Sequence, residues 1–303
     1  MTTESTSGPA SRSGAVAVLA MATVVLLLVG VVGAFTVSGS DTGSVAKLAA
    51  LPPGQVVPAA ANATAQAGSA SFEMTMNVDV TDNAKREKLD LDSSGALDFV
   101  SKRGHMTDQI TAADGTKKSL DLVLDGTTVY LSGPALAGKL PAGKTAVKVA
   151  SAEGLAGIPS GTSSPVDTLQ QLNQIGANVT QVGRESVRGV DTVHYSATID
   201  PSKASSSGGS QTITLPSFSI PVDVWIDGDG RVRRMRTAID LEKMLGGFSA
   251  LLNGKGPTGT IALNLELFDF GKSVDVKVPD PGTVVDSSAI GGLGDLTNLF
   301  GIG

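Results

Sequence analysis

The sequence predicts an α+β protein: one large, curved antiparallel sheet with a few helices over its concave face, preceded by one transmembrane helix. Three observations carry this. Several runs alternate apolar and polar residues with period two, short glycine-containing turns join them, and an uncharged apolar stretch lies near the amino terminus. Period-two alternation makes a strand with one dry and one wet face.

The clearest runs cover residues 190–200, 221–240 and 260–271. Val193, Tyr195, Ala197 and Ile199 share one face, and His194, Ser196 and Thr198 the other. Ile261, Leu263, Leu265 and Leu267 repeat the pattern against Ala262, Asn264 and Glu266. Within 221–240, Asp227-Gly228-Asp229-Gly230 interrupts the run where glycine can supply the positive φ of a tight hairpin.

Composition narrows the function. The formal charge of −6 argues against nucleic acid as the main partner. The absence of cysteine excludes disulfides, thiolate metal sites, a cysteine nucleophile and thiol-linked lipidation. Aromatic residues make up only 4%, so stacking platforms for bases or sugars are scarce.

The amino-terminal stretch sets the localisation expected of the chain. Residues 14–37 carry no charge and are rich in Val, Leu and Ala. As a helix they would span about 36 Å, against a hydrocarbon core of about 30 Å. A cleaved signal has a shorter apolar region, so an uncleaved signal anchor is expected. Cleavage near the small residues after Ala34 is the alternative. Arg12 precedes the span, which places the amino terminus inside and the bulk of the chain outside the cell membrane.

The chain then divides into a cytoplasmic tail (1–13), the anchor (14–37), a flexible linker (38–68), a folded domain (69–282) and a carboxy-terminal tail (283–303). The linker assignment rests on Gly, Pro, Ala and Ser content. In the domain, Ala70, Phe72, Met74, Met76 and Val78 alternate with polar residues as a strand. Residues 85–95 read as a polar turn region. Two strands flank Ser101-Lys102-Arg103-Gly104, and two more flank Asp125-Gly126, a hairpin signal. One helical turn is expected near 134–140 and a strand over 144–149. Residues 164–175 are the best helix, with Ser164 as cap, Pro165 at the first position and Val166, Leu169, Leu172 and Ile175 on one face. Strand resumes after it, with a turn near Gly183. A low-complexity loop follows over 202–209, then a second helix over 241–252 and a last short strand over 273–282. After 283 the chain either frays or folds back on the sheet. About ten strands in one sheet must curl, split or close. A half-barrel closed by helices leaves an apolar hollow.

Several stretches together resemble a known family. They are DGTTVYLSGPALAGKLPAGKTAVKV (125–149), VRGVDTVHYSATID (187–200), IPVDVWIDGDGRVRRMR (220–236) and ELFDFG (266–271). The similarity is to actinobacterial envelope lipoproteins of the LppX/LprAFG type, and covers about residues 69–281. It implies a LolA-like half-barrel with helices over its concave side. It also implies an apolar cavity for acyl chains, and carriage of lipid or lipoglycan in the cell envelope. Two departures stand out. The family's lipidated cysteine is absent, and the long anchor would replace it. Ala146 stands where many relatives have Trp, and residues 202–209 are thin where relatives carry a helical insert. Both bear on cavity shape.

No catalytic motif is present, and an enzyme is not expected. His105 and His194 lie in separate strand candidates and read as satisfied or solvent-facing. The Asp227–Gly230 turn is not a calcium loop, since Ala238 stands where a loop of that kind needs Glu. No metal or cofactor is expected. Arg231, Arg233, Arg234 and Arg236 cluster on one strand, with Arg234 and Arg236 on one face and Arg231 and Arg233 on the other. Ion pairing on a solvated face is one reading. Contact of Arg234 and Arg236 with an anionic headgroup is the other.

Two functions follow. In the first, the protein is a membrane-anchored extracytoplasmic binding protein that holds a lipid or lipoglycan by desolvating its acyl chains. Phe72, Met74 and Met76 would line its cavity on the first strand. Leu122 and Leu124, then Val193 and Tyr195, then Val224, Leu263 and Leu265 would complete the lining. In the second, the same fold has a filled core and serves as an envelope structural or interaction protein. The two differ by what covers the dry face. Two chains of roughly 16 carbons represent about 25 kcal/mol of apolar exposure to avoid, which only a deep, dry cavity can do.

Overall fold

The computed structural model describes residues 51–82, 85–149, 179–199, 219–245 and 257–290. The expected anchor (14–37), the tail 1–13, the helix over 164–175, the loop over 202–209 and the later half of 241–252 lie outside the described residues. No helix among the described residues is long and apolar enough to cross a membrane.

A helix, α1 (Pro53–Gln66), comes first. The sheet begins with β1 (Ser69–Asp82), β2 (Lys85–Asp98), β3 (Arg103–Ala112), β4 (Lys117–Asp125), β5 (Thr128–Ser132) and β6 (Ala146–Val149). It continues with β7 (Thr180–Val187), β8 (Val190–Ile199), β9 (Ile220–Asp227) and β10 (Val232–Asp240). A short helix, α2 (Leu241–Leu245), leads to β11 (Thr258–Phe268), and β12 (Val284–Asp286) ends the sheet. The twelve strands form one sheet in the order β12-β6-β5-β4-β3-β2-β1-β11-β10-β9-β8-β7. Every ladder is antiparallel except β12 with β6. The two edges, β7 and β12, do not pair with each other, so the sheet stays open.

The pleat sorts the residues as the alternation requires. Along β1 the even positions from Ala70 to Val80 are buried, and Phe72, Met74, Met76 and Val78 face Leu267, Leu265, Leu263 and Ile261 of β11. The turns follow their glycines: Gly126 joins β4 to β5 at φ 65°, and Gly230 closes the β9–β10 turn at φ 81° with its N–H on Asp227 O.

Residues 53–66 are helix, which corrects the linker expected over 38–68. Proline is tolerated in the first turn, where no intrahelical N–H is needed. The remainder is alanine-rich, which favours helix despite Pro58 in its interior. Val56, Ala60 and Thr64 form one buried stripe against the main core. Their small size lets the backbone approach the sheet. The Thr64 hydroxyl donates to Ala60 O and accepts from the Val232 N–H, both at 2.8 Å, which ties α1 to the start of β10.

Three further expectations are corrected, and one left open, the course of the chain after 283, is settled. Residues 85–95 are strand, not turn, because Leu89, Leu91, Ser93 and Gly95 continue the inner face behind a charged start. Gly183 sits at a bulge, and the turn falls later, at Arg188-Gly189. Residues 272–280 form no strand. Beyond 283 the chain returns to the sheet as β12 beside β6, with the Thr145 N–H on Thr283 O at 2.9 Å.

Candidate functional site

The ladder registers build the inner face row by row. One row reads Val285, Val147, Leu131, Leu122, Met106, Gly95, Phe72 and Leu267 across eight strands. The next reads Leu120, Asp108, Ser93, Met74, Leu265, Met235, Val224 and Tyr195. Eight of the ten apolar candidates, Phe72, Met74, Met76, Val193, Tyr195, Val224, Leu263 and Leu265, belong to one cluster. Leu122 belongs to a second cluster, and Leu124 packs against it. Met106 touches both clusters and joins them. Four methionines (Met74, Met76, Met106 and Met235) share this face, and their flexible side chains suit irregular partners.

Arg234 and Arg236 point the other way. Arg234 donates to Glu266 from Nε at 2.9 Å and pairs with it through Nη2 at 2.6 Å. Arg188 reaches the same carboxylate from Nε at 2.7 Å and also pairs with Glu73. Burial alone would raise the Glu266 carboxyl, but the hydrogen bonds from Arg234 and Arg188 outweigh it and hold it below the usual range. Arg236 donates to Asn264 Oδ1 at 2.9 Å. Both guanidiniums lie 5.4 Å from the Trp225 ring centroid, and His194 stacks on the same ring at 4.2 Å. The Trp225 Nε1–H donates to Glu185 at 2.9 Å. The two arginines are thus held by an outer-face network and are not brought together with the apolar candidates. Arg231 and Arg233 gather instead on Asp227 and the Phe270 ring.

His105 is exposed on β3. His194 has Asp223 Oδ1 3.2 Å from Nε2 and Glu185 Oε1 3.2 Å from Nδ1, the second without hydrogen-bond alignment.

Sequence reasoning missed one pair. Asp108 and Ser93 are direct cross-strand partners on the inner face, 7% and 3% exposed. Neither Asp108 Oδ1 nor Ser93 Oγ makes an aligned hydrogen bond, although the Ser93 hydroxyl lies close enough to act on the carboxylate. The signal was available: Met106 and Ile110 flank Asp108 at period two, which puts it on the dry face. Burial pushes the Asp108 carboxyl up to about 6, the neighbouring Ser93 hydroxyl pulls it down, and Asp121 adds to the rise.

A pH dependence follows. The folded pKa lies above the unfolded one, so the stability linked to Asp108 is full below the unfolded value and is lost as pH rises through about 6. Between pH 5 and 7.5 the loss is on the order of 1 kcal/mol. Asp108→Asn removes this component, so urea midpoints of the variant change less over that interval than those of the parent.

No protein-family model and no curated protein sequence matches the chain. Solved structures do. LprF from Mycobacterium bovis is 16% identical with a TM-score of 0.42, over 75% of this chain and 96% of that one. The lipoprotein LppX from Mycobacterium tuberculosis is 15% identical with a TM-score of 0.44, over 74% and 98%. A LolA superfamily protein from Nitrosomonas europaea is 10% identical with a TM-score of 0.20, over 70% and 86%. Solved structures similar to this chain thus include proteins of the LppX/LprAFG type that the sequence resembles.

Proposed function

We propose that this protein is an extracytoplasmic binding protein, held at the cell membrane by residues 14–37, that carries or presents a lipid or lipoglycan in the cell envelope. The amphiphile's acyl chains lie against the inner face of the sheet, and no bond is made or broken. The observation that carries this reading is the continuity of that face. Overlapping rows carry a mainly apolar face from β12 to β8, interrupted at Asp108 and Ser93, with the ion pairs of Arg234 and Glu266 kept to the other side. A broad apolar surface is what desolvating a long chain requires.

One observation favours the second reading, an envelope structural or interaction protein with a filled core. The stripe of α1 already packs on part of the inner face, and most of the apolar candidates are buried. On the carrier reading, residues of this face repack to admit the ligand.

Purification of the full chain from an actinobacterial host, followed by native mass spectrometry and lipid extraction, separates the two. The carrier reading predicts stoichiometric bound lipid. A clean apo mass, with no uptake of added phospholipid or glycolipid, contradicts it and favours the filled core.

A further inference from the structure

We infer that Asp108 and Ser93 form a polar subsite within the apolar inner face, and that it selects amphiphiles carrying a free hydroxyl. This deepens the reading above and rests on it.

The row from Leu120 to Tyr195 is apolar at every position except these two, which sit next to each other on β3 and β2. An unpaired polar group at such a depth is costly, and apolar residues of similar volume would remove the cost. The two strands bring both groups to one point: Asp108 Oδ1 and Ser93 Oγ are buried side by side without an aligned hydrogen bond, each to the other or to a third group. Their chemistry is complementary to one group. An ionised carboxylate only accepts, whereas a serine hydroxyl both donates and accepts. A ligand hydroxyl can donate its proton to Asp108 and accept one from Ser93 Oγ. An ammonium group can donate to both oxygens but leaves the Ser93 O–H without an acceptor, and it brings its own larger desolvation cost. An ester or ether oxygen can accept from Ser93 but leaves Asp108 unpaired. Met74, Leu120, Leu91 and Ile110, in register around the pair, supply the apolar surround for the adjoining chain.

The test uses the full chain and two probes that differ by one donor: 1,2-dipalmitoylglycerol, with a single free hydroxyl, and its 3-O-methyl ether. Competition is read by native mass spectrometry at pH 7.5. The parent is expected to prefer the alcohol by about tenfold, the scale of one hydrogen bond to a charged group. Asp108→Leu brings the ratio close to one while keeping the ether's binding, and Ser93→Ala lowers the ratio several-fold. Thermal unfolding checks that both variants fold, and Ser93→Ala, the smaller change, stands if Asp108→Leu does not. Equal binding of both probes by the parent, or an unchanged ratio in the folded variants, overturns the subsite and means the pair holds only a buried water. Binding of neither probe removes the carrier reading itself, and the subsite with it.

Discussion

Asp227→Ala is expected to lower the unfolding free energy by about 3–5 kcal/mol, the range for leaving charged groups without their buried partner. Asp227 is 1% exposed at the end of β9. Its Oδ1 accepts from the backbone N–H groups of Asp229 and Arg231 at 3.0 and 2.9 Å. Its Oδ2 accepts from Arg231 Nε at 3.2 Å and Arg233 Nε at 2.6 Å. Both guanidiniums also sit over the Phe270 ring, at 4.9 and 4.7 Å. One carboxylate therefore sets the β9–β10 turn and fastens the residues after β11 to it. Alanine leaves two N–H groups and two cations without this acceptor. Asp229, by contrast, has an exposed side chain and, among the described residues, pairs with Arg231 alone. Asp229→Ala should therefore change stability by about 0.5 kcal/mol or less. Urea unfolding of the two variants makes the comparison, and equal effects would show that Asp227 is not the anchor.

The second large effect is at Gly95. A methyl group there would lie 2.1 Å from His105 O and 2.8 Å from Met106 Cα. Both are backbone atoms of β3, so no side-chain rotation relieves the clash. On the same strand pair, a Cβ at Gly104 would meet Ala96 O at 2.8 Å. Glycine within a strand marks such close backbone approach. Gly95→Ala should therefore force β2 and β3 apart between Phe72 and Met106, at a cost of about 3 kcal/mol or more. Gly183→Ala is the control: nothing lies within 4 Å of its added carbon, and its φ is not positive. Thermal unfolding should separate the two variants clearly. A Gly95→Ala protein that unfolds like the Gly183→Ala one would contradict the close approach.

Legibility in the sequence tracked how strongly each feature depends on neighbours in space. β1, β8 and β11 were readable because alternation is a property of the strand itself. The hairpins at Gly126 and Gly230 were readable because their turns need positive φ. β2 was not, since its charged start and Ser-Ser-Gly segment look like a turn until β1 and β3 flank it. Nor was α1 readable, because its buried stripe of Val56, Ala60 and Thr64 is small and partly polar. Arg234 and Arg236 share a face as their spacing requires, but the register shift between Val232 and Arg234 breaks the alternation expected to set Arg231 and Arg233 opposite them, and Glu266 meets Arg234 only through the β10–β11 register. Asp108 was overlooked for a different reason. Its parity was visible, but only the β2–β3 pairing sets it opposite Ser93.

The central claim is that the inner face is where an amphiphile lies. A palmitate carrying a diazirine near its terminal methyl tests this most directly. After photolysis with the full chain, labelled peptides are located by mass spectrometry. The account predicts label on β1, β8 and β11, at residues such as Met74, Met76, Tyr195 and Leu265. Label confined to outer-face residues such as Trp225 and Arg236, or no label above a denatured control, would contradict it.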